Sequence, residues 1–142
     1  MSNIELTPST GSPKILLLED NDEYRALLTE VLTLSGFEVY AAPNGRRVDD
    51  TLRSRHIDLV ITDVSMPERD GLEIMSDLRV NHPEIPVIAI SGDVPLNTDL
   101  FLEIAAKLGA SRVLAKPFRI DDLIAAARLA VGWAETPAKI AD

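Results

Sequence analysis

Short apolar runs alternate along the chain with longer segments in which apolar residues recur every three to four positions. Five apolar runs predict β-strands, at residues 15–18, 37–41, 59–61, 87–90 and 113–115. Three of the runs are continuously apolar, which is typical of parallel strands that are covered on both faces. The pattern therefore predicts a parallel sheet between two layers of helices.

Helical periodicity fills the segments between and after these strands. The first predicted helix starts at Asn21 or Asp22, has Tyr24 on its apolar face and is closed by Gly36. Four more are predicted, at residues 45–54, 72–81, 98–108 and 120–133. Strands that alternate with helices imply right-handed crossovers. The fold class is therefore α/β, as a (βα)5 doubly wound five-stranded parallel sheet.

The chain of 142 residues has the length of one domain. Residues 1–13 are rich in Ser, Thr, Pro and Gly, and they predict a flexible N-terminal leader. Residues 134–142 lack a periodic apolar face and predict a short C-terminal tail. The folded domain is therefore predicted over residues 14–133.

Composition narrows the classes of function. The chain has no cysteine, which excludes disulfides, thiolate metal sites and a cysteine nucleophile. Its net charge of −9 disfavours direct nucleic acid binding, because phosphate backbones are anionic. No apolar run reaches the ~20 residues of a membrane span, and no secretory signal pattern is visible. We expect a cytoplasmic protein that binds neither nucleic acid nor membrane.

Four of the predicted strands end in polar residues. The first ends in Glu19 and Asp20, the third in Asp63, the fourth in Ser91 and the fifth in Lys116. Taken singly, such residues often serve as helix caps or turn residues. In a doubly wound sheet, however, the carboxyl ends of the strands meet at one edge, where ligands bind. Their joint position favours a functional site.

The chemistry of these side chains indicates the kind of site. Crowded carboxylates repel one another and raise one another's pKa, and a hard divalent cation such as Mg²⁺ compensates their charge. A cation, an ammonium and a hydroxyl around a carboxylate can stabilise a transferring phosphoryl group. The carboxylate itself can be the nucleophile. The sequence therefore predicts phosphoryl transfer to a carboxylate.

Four segments resemble the receiver domain of two-component response regulators. They are LLLED (16–20), DLVITDVSMPERDGLE (58–73), PVIAISG (86–92) and GASRVLAKPF (109–118). The resemblance covers about residues 13–133 and indicates a single-domain, stand-alone member. It implies a flavodoxin-like sheet with strand order 2-1-3-4-5.

The resemblance also implies a role for each acidic residue. Asp63 is the expected phosphoacceptor. Asp20 and Asp63 are the expected side-chain ligands of Mg²⁺, with the backbone carbonyl of Ser65 as a third ligand. Glu19, where the family more often has Asp, is expected to act through a metal-bound water.

The remaining site residues follow from the same resemblance. Ser91 and Lys116 are expected to hold oxygens of the phosphoryl group, and the Lys116–Pro117 peptide bond is expected to be cis. Val113 stands where the family has its aromatic switch residue. We therefore expect phosphorylation to be reported through another segment, at residues 92–100.

The implied function is that of a phosphoacceptor rather than an enzyme, with slow hydrolysis of its own phosphoryl group. Its expected donors are a sensor histidine kinase or a histidine phosphotransfer protein. The expected downstream contact is the face of the fourth predicted helix, the fifth strand and the fifth predicted helix. This contact would be made with a protein.

Three other functions share parts of this pattern. A flavodoxin-like redox protein needs a phosphate-binding loop after the first strand, but residues 19–22 are acidic there. A phosphatase of the haloacid dehalogenase type needs an Asp two residues after its nucleophile, where this chain has Ser65. A degenerate receiver would bind partners without phosphorylation, and the intact Asp63 and Lys116 argue against it.

Overall fold

Five parallel strands form one sheet in the computed structural model, which describes residues 11–64, 71–91, 103, 106–107 and 109–133. The strands are β1 (Lys14–Leu18), β2 (Glu38–Ala42), β3 (Leu59–Asp63), β4 (Val87–Ser91) and β5 (Arg112–Ala115). Their spatial order is β2-β1-β3-β4-β5, and every neighbouring pair is parallel. The predicted fold and strand order are confirmed.

Four helices have complete bounds: α1 (Asp22–Leu34), α2 (Val48–Ser54), α3 (Gly71–Asn81) and α4 (Ile120–Ala130). Helix α4 corresponds to the fifth predicted helix. The fourth predicted helix, at 98–108, falls mostly outside the described residues, although Glu103, Ala106 and Lys107 are helical. Most of the predicted leader and all of the predicted tail also lie outside them. Within the described part, no helix has the length and apolar character that a membrane crossing requires.

Several predicted boundaries differ from the observed ones for local reasons. Strand β2 begins at Glu38 because the N–H of Phe37 donates to the carbonyl of Leu32 and completes the end of α1. Strands β3 and β4, in contrast, end at Asp63 and Ser91, the polar strand ends that the sequence predicts. Both residues lie in the ladder, so the sheet positions two of the candidate site residues directly.

The core has two parts, one on each face of the sheet. Ile15 and Leu17 of β1 pack with residues of α1 and α4, whereas Leu16 and Leu18 pack with residues of α2 and α3. Burying one such side chain contributes about 1.5–3 kcal/mol to folding. Because successive side chains alternate between two buried faces, the strand is apolar throughout.

Helices α1 and α4 end in the same way. At each end a glycine with positive φ, Gly36 (106°) or Gly132 (72°), is followed by a residue whose N–H donates to a carbonyl five residues back. This is the Schellman arrangement. The two ends meet in space, since the ring of Trp133 lies perpendicular to that of Phe37 with centroids 5.1 Å apart.

The two glycines provide a matched pair of substitutions. A Cβ on Gly36 would lie 2.6 Å from Cη2 of Trp133, whereas a Cβ on Gly132 would have no heavy atom within 4 Å. Both alanine variants place a side chain in left-handed backbone, at a cost of about 1–2 kcal/mol. We expect Gly36→Ala to lose more unfolding free energy in urea than Gly132→Ala, and to change the fluorescence of Trp133. Equal losses with unchanged fluorescence would contradict the packing described.

Candidate functional site

The carboxyl ends of four strands bring the predicted site residues to one edge of the sheet. Asp63 and Ser91 are the last residues of β3 and β4, while Glu19 and Lys116 directly follow β1 and β5. Backbone hydrogen bonds continue the ladder to this edge: the N–H of Lys116 donates to the carbonyl of Ser91 at 2.8 Å, and that of Glu19 donates to Ala42 at 3.1 Å. The backbones of these residues are therefore fixed by the sheet.

Three carboxylates form a cluster at this edge. Glu19, Asp20 and Asp63 each offer one oxygen, and these oxygens lie within 4.8 Å of one another. Glu19 and Asp63 are buried, with 0% and 3% of their surface exposed, whereas Asp20 is exposed. Hard oxygen ligands that converge from buried and exposed sides suit Mg²⁺, which keeps several of its waters. The predicted third ligand, the carbonyl of Ser65, lies outside the described residues.

The ammonium of Lys116 lies between the two buried carboxylates. Its Nζ donates to Oε1 of Glu19 at 3.2 Å and to Oδ2 of Asp63 at 3.3 Å. Burial lowers the pKa of Lys116, but the charges of Asp63 and Glu19 outweigh burial and leave the pKa raised. Lys116 is therefore a cation at neutral pH.

The pKa of Glu19 is raised, because its negative charge is buried. Burial raises its pKa and the charge of Asp63 adds to this effect. The N–H of Asn21, which donates to Oε2 of Glu19 at 3.1 Å, and the ammonium of Lys116 offset only part of the increase. Two buried carboxylates thus share one ammonium, and a further cation at this edge would be stabilised.

Ser91 supplies a hydroxyl group to the site. It is 1% exposed, and its Oγ is the only buried side-chain oxygen or nitrogen without a hydrogen-bond partner in the described part of the chain. Leaving a buried polar group unpaired costs about 1–3 kcal/mol. The neighbouring residue, Ile90, is paired with Asp63 across the sheet. Ser91 follows Ile90 directly, so its free hydroxyl lies near Asp63. It can donate a hydrogen bond to an oxygen atom of a group bound at Asp63.

Two aromatic rings meet beside Lys116, an arrangement that the sequence does not predict. The ring centroid of Tyr24 lies 4.4 Å from Nζ of Lys116, and the ring of Phe118 meets that of Tyr24 edge-on at 6.1 Å. The apolar periodicity places Tyr24 on the apolar face of α1 and indicates nothing about a neighbouring cation. One signal in the sequence was available: Asn21 is a typical helix cap, which places Tyr24 in the first turn of α1 and therefore near the carboxyl end of β1. In the structure, the side chain of Asn21 accepts from the N–H of Tyr24 at 2.7 Å. The Lys116–Pro117 peptide bond is cis, as the resemblance implied.

A five-stranded sheet in this order, with an acidic cluster and a lysine at its carboxyl edge, defines a class of flavodoxin-like signalling domains. Residues 15–128 match the family model described as "Response regulator receiver domain", and the chain belongs to this family. Receiver domains typically bind Mg²⁺ in an acidic pocket, and the cluster of Glu19, Asp20 and Asp63 corresponds to such a pocket.

Relatives agree with this assignment. The chain is 38% identical over 117 residues to the regulatory protein VirG of Agrobacterium tumefaciens (strain 15955), covering 82% of this chain and 43% of VirG. It is 36% identical over 115 residues to the transcriptional regulatory protein CpxR of Escherichia coli (strain K12), covering 81% and 47%. The chain thus spans less than half the length of these two relatives. A receiver domain from Clostridium thermocellum matches with a TM-score of 0.74 and 31% identity, covering 84% of this chain and 94% of that one.

The raised pKa of Glu19 predicts a pH-dependent stability. A group whose pKa is raised by folding contributes stability that is present below its unfolded pKa and is lost as pH rises through its folded pKa. In EDTA at pH 7 we therefore expect Glu19→Gln to be more stable than the wild type in urea, with a difference that shrinks as pH falls towards 4. Glu84→Gln, an exposed change at the opposite edge of the sheet, should leave the profile unchanged. A less stable Glu19→Gln at pH 7 would show that the contact with Lys116 outweighs burial.

The cluster also predicts stabilisation by Mg²⁺. A ligand that binds only the native state adds about 0.4 kcal/mol to the unfolding free energy when its concentration equals Kd, and about 2.7 kcal/mol at 100 times Kd. We expect millimolar Mg²⁺ to raise the urea midpoint of the wild type at constant ionic strength. Asp20→Asn should abolish the increase, and the exposed Asp49→Asn should retain it. The same increase in all three proteins would indicate a general salt effect and contradict a site.

Proposed function

We propose that this chain accepts a phosphoryl group on Asp63 from a phosphohistidine of a sensor histidine kinase or histidine phosphotransfer protein, in a reaction that requires Mg²⁺. The observation that carries the proposal is the placement of a buried carboxylate, Asp63, 3.3 Å from the ammonium of Lys116 and within the acidic cluster. Membership of the receiver family supports the same reaction.

In the transfer step, a carboxylate oxygen of Asp63 attacks phosphorus in line with the donor imidazole. The P–O bond forms as the P–N bond breaks, and the electron pair of the broken bond stays on the imidazole nitrogen, which then takes a proton from water. The product is an aspartyl phosphate. Hydrolysis reverses the modification when water attacks phosphorus and releases inorganic phosphate and the free carboxylate.

Each neighbouring side chain has a function in this step. The ammonium of Lys116 attracts one phosphoryl oxygen, and the unpaired hydroxyl of Ser91 donates to another. Glu19, Asp20, Asp63 and the carbonyl of Ser65 would hold Mg²⁺, with Glu19 acting through a bound water. The ion supplies positive charge to the oxygens of the transferring group.

The proposed output is a phosphorylation-dependent protein contact. The face formed by the fourth predicted helix, β5 and α4 is the proposed surface, and residues 92–100 are the segment expected to change. That segment and most of the fourth predicted helix lie outside the described residues. The charge of −9 supports contact with protein rather than direct binding of nucleic acid. Because the donor receives its phosphoryl group from ATP, the proposal places the reaction in the cytoplasm.

The reaction can be tested with a small phosphodonor. With acetyl phosphate and Mg²⁺, intact-mass spectrometry should show the addition of one phosphoryl group to the wild type and to Asp49→Asn, and none to Asp63→Asn. Ser91→Ala should be modified at least tenfold more slowly, because it removes a preorganised hydrogen-bond donor to the transferring group. An unmodified wild type, or a modified Asp63→Asn, would refute the proposal.

A further inference from the structure

The ammonium of Lys116 has a third neighbour besides its two carboxylates. Its Nζ lies 4.4 Å from the centroid of the Tyr24 ring. A cation within about 6 Å of an aromatic centroid is attracted by the negative face of the ring. Tyr24 therefore constrains the same nitrogen that pairs with Asp63.

The ring of Tyr24 is itself held from two elements. Its backbone N–H is bound by the capping side chain of Asn21, which fixes the first turn of α1. The edge-on contact with Phe118 holds the ring against the segment that follows Lys116. A ring held on both sides limits the positions that a flexible lysine side chain can occupy.

Strand β5, which directly precedes Lys116, has no aromatic residue that could contact the lysine side chain. Val113, three residues before Lys116, is half-buried and packs against the core on the α2 and α3 side of the sheet. The aromatic neighbour of Lys116 comes instead from α1. Tyr24 does not need to touch the phosphoryl group, because it acts through the lysine.

We infer that Tyr24 is a positioning residue for phosphoryl transfer: its ring face keeps the ammonium of Lys116 directed towards Asp63. This inference rests on the proposed function of Asp63. It assigns the effect to the ring rather than to the hydroxyl, so Tyr24→Phe should behave as the wild type and Tyr24→Leu should not.

The contact can be measured by NMR without phosphorylation. The ring current of Tyr24 should shift the side-chain methylene protons of Lys116 upfield in the wild type and in Tyr24→Phe. The shift should disappear in Tyr24→Leu. An absence of the upfield shift in the wild type would overturn the inference.

Kinetics with acetyl phosphate test the role of the contact. Tyr24→Leu should lower the maximal rate constant of phosphorylation about 3- to 10-fold, a factor within the range of a cation–π contact, with an unchanged apparent KM. Tyr24→Phe should keep the wild-type rate. Tyr40→Leu is the matched control, because the ring of Tyr40 contacts Arg55 at 4.2 Å on the edge strand β2. It should also keep that rate.

The outcomes separate this inference from the function on which it rests. A wild type that is not phosphorylated would refute the proposed function and this inference with it. A phosphorylated wild type with an equally fast Tyr24→Leu would overturn the positioning role alone, as would a Tyr24→Phe that is equally slow. If urea unfolding shows that Tyr24→Leu does not fold, Tyr24→Met replaces it, with the same expected loss of rate.

Discussion

The sharing of one half-buried ammonium by two buried carboxylates is the constraint on which this edge of the molecule depends. Taking a charge out of water is unfavourable unless it is paired. Lys116 meets this requirement for Glu19 and Asp63 only in part, because one positive charge faces two negative ones. A site that is one positive charge short is prepared to bind a cation. In the proposed reaction, the same ammonium would lie close to the phosphoryl oxygens on Asp63.

The sheet fixes the geometry that this sharing requires. Lys116 and Glu19 are separated by 97 positions in sequence, yet they pair because β5 and β1 end at the same edge. Only a parallel arrangement brings the ends of four strands together with one polarity. The packing of apolar residues on both faces of the sheet therefore fixes the positions of the charged groups. Attraction between those groups alone would not do so.

Most of this arrangement could be predicted from the sequence, since it follows from local signals. Apolar runs marked the strands, and the polar residues after them marked the edge. The polar ends of β3 and β4, Asp63 and Ser91, could be predicted because each closes an apolar run. Their register against the neighbouring strands could not, since it depends on partners that are distant in sequence. The ring of Tyr24 was missed for a different reason. A helical pattern shows on which face of the helix Tyr24 lies. It does not show that Lys116, which follows a strand distant in sequence, places its ammonium over the ring.

The contact between Trp133 and Phe37 has a consequence for distances in the domain. Phe37 precedes β2, so the end of α4 lies at the amino edge of the sheet, whereas its beginning follows Lys116 at the carboxyl edge. Eleven helical residues at 1.5 Å each separate these points by roughly 16 Å. A molecule that touches both the acidic cluster and the end of α4 must therefore reach from one edge of the sheet to the other, along the whole length of this helix.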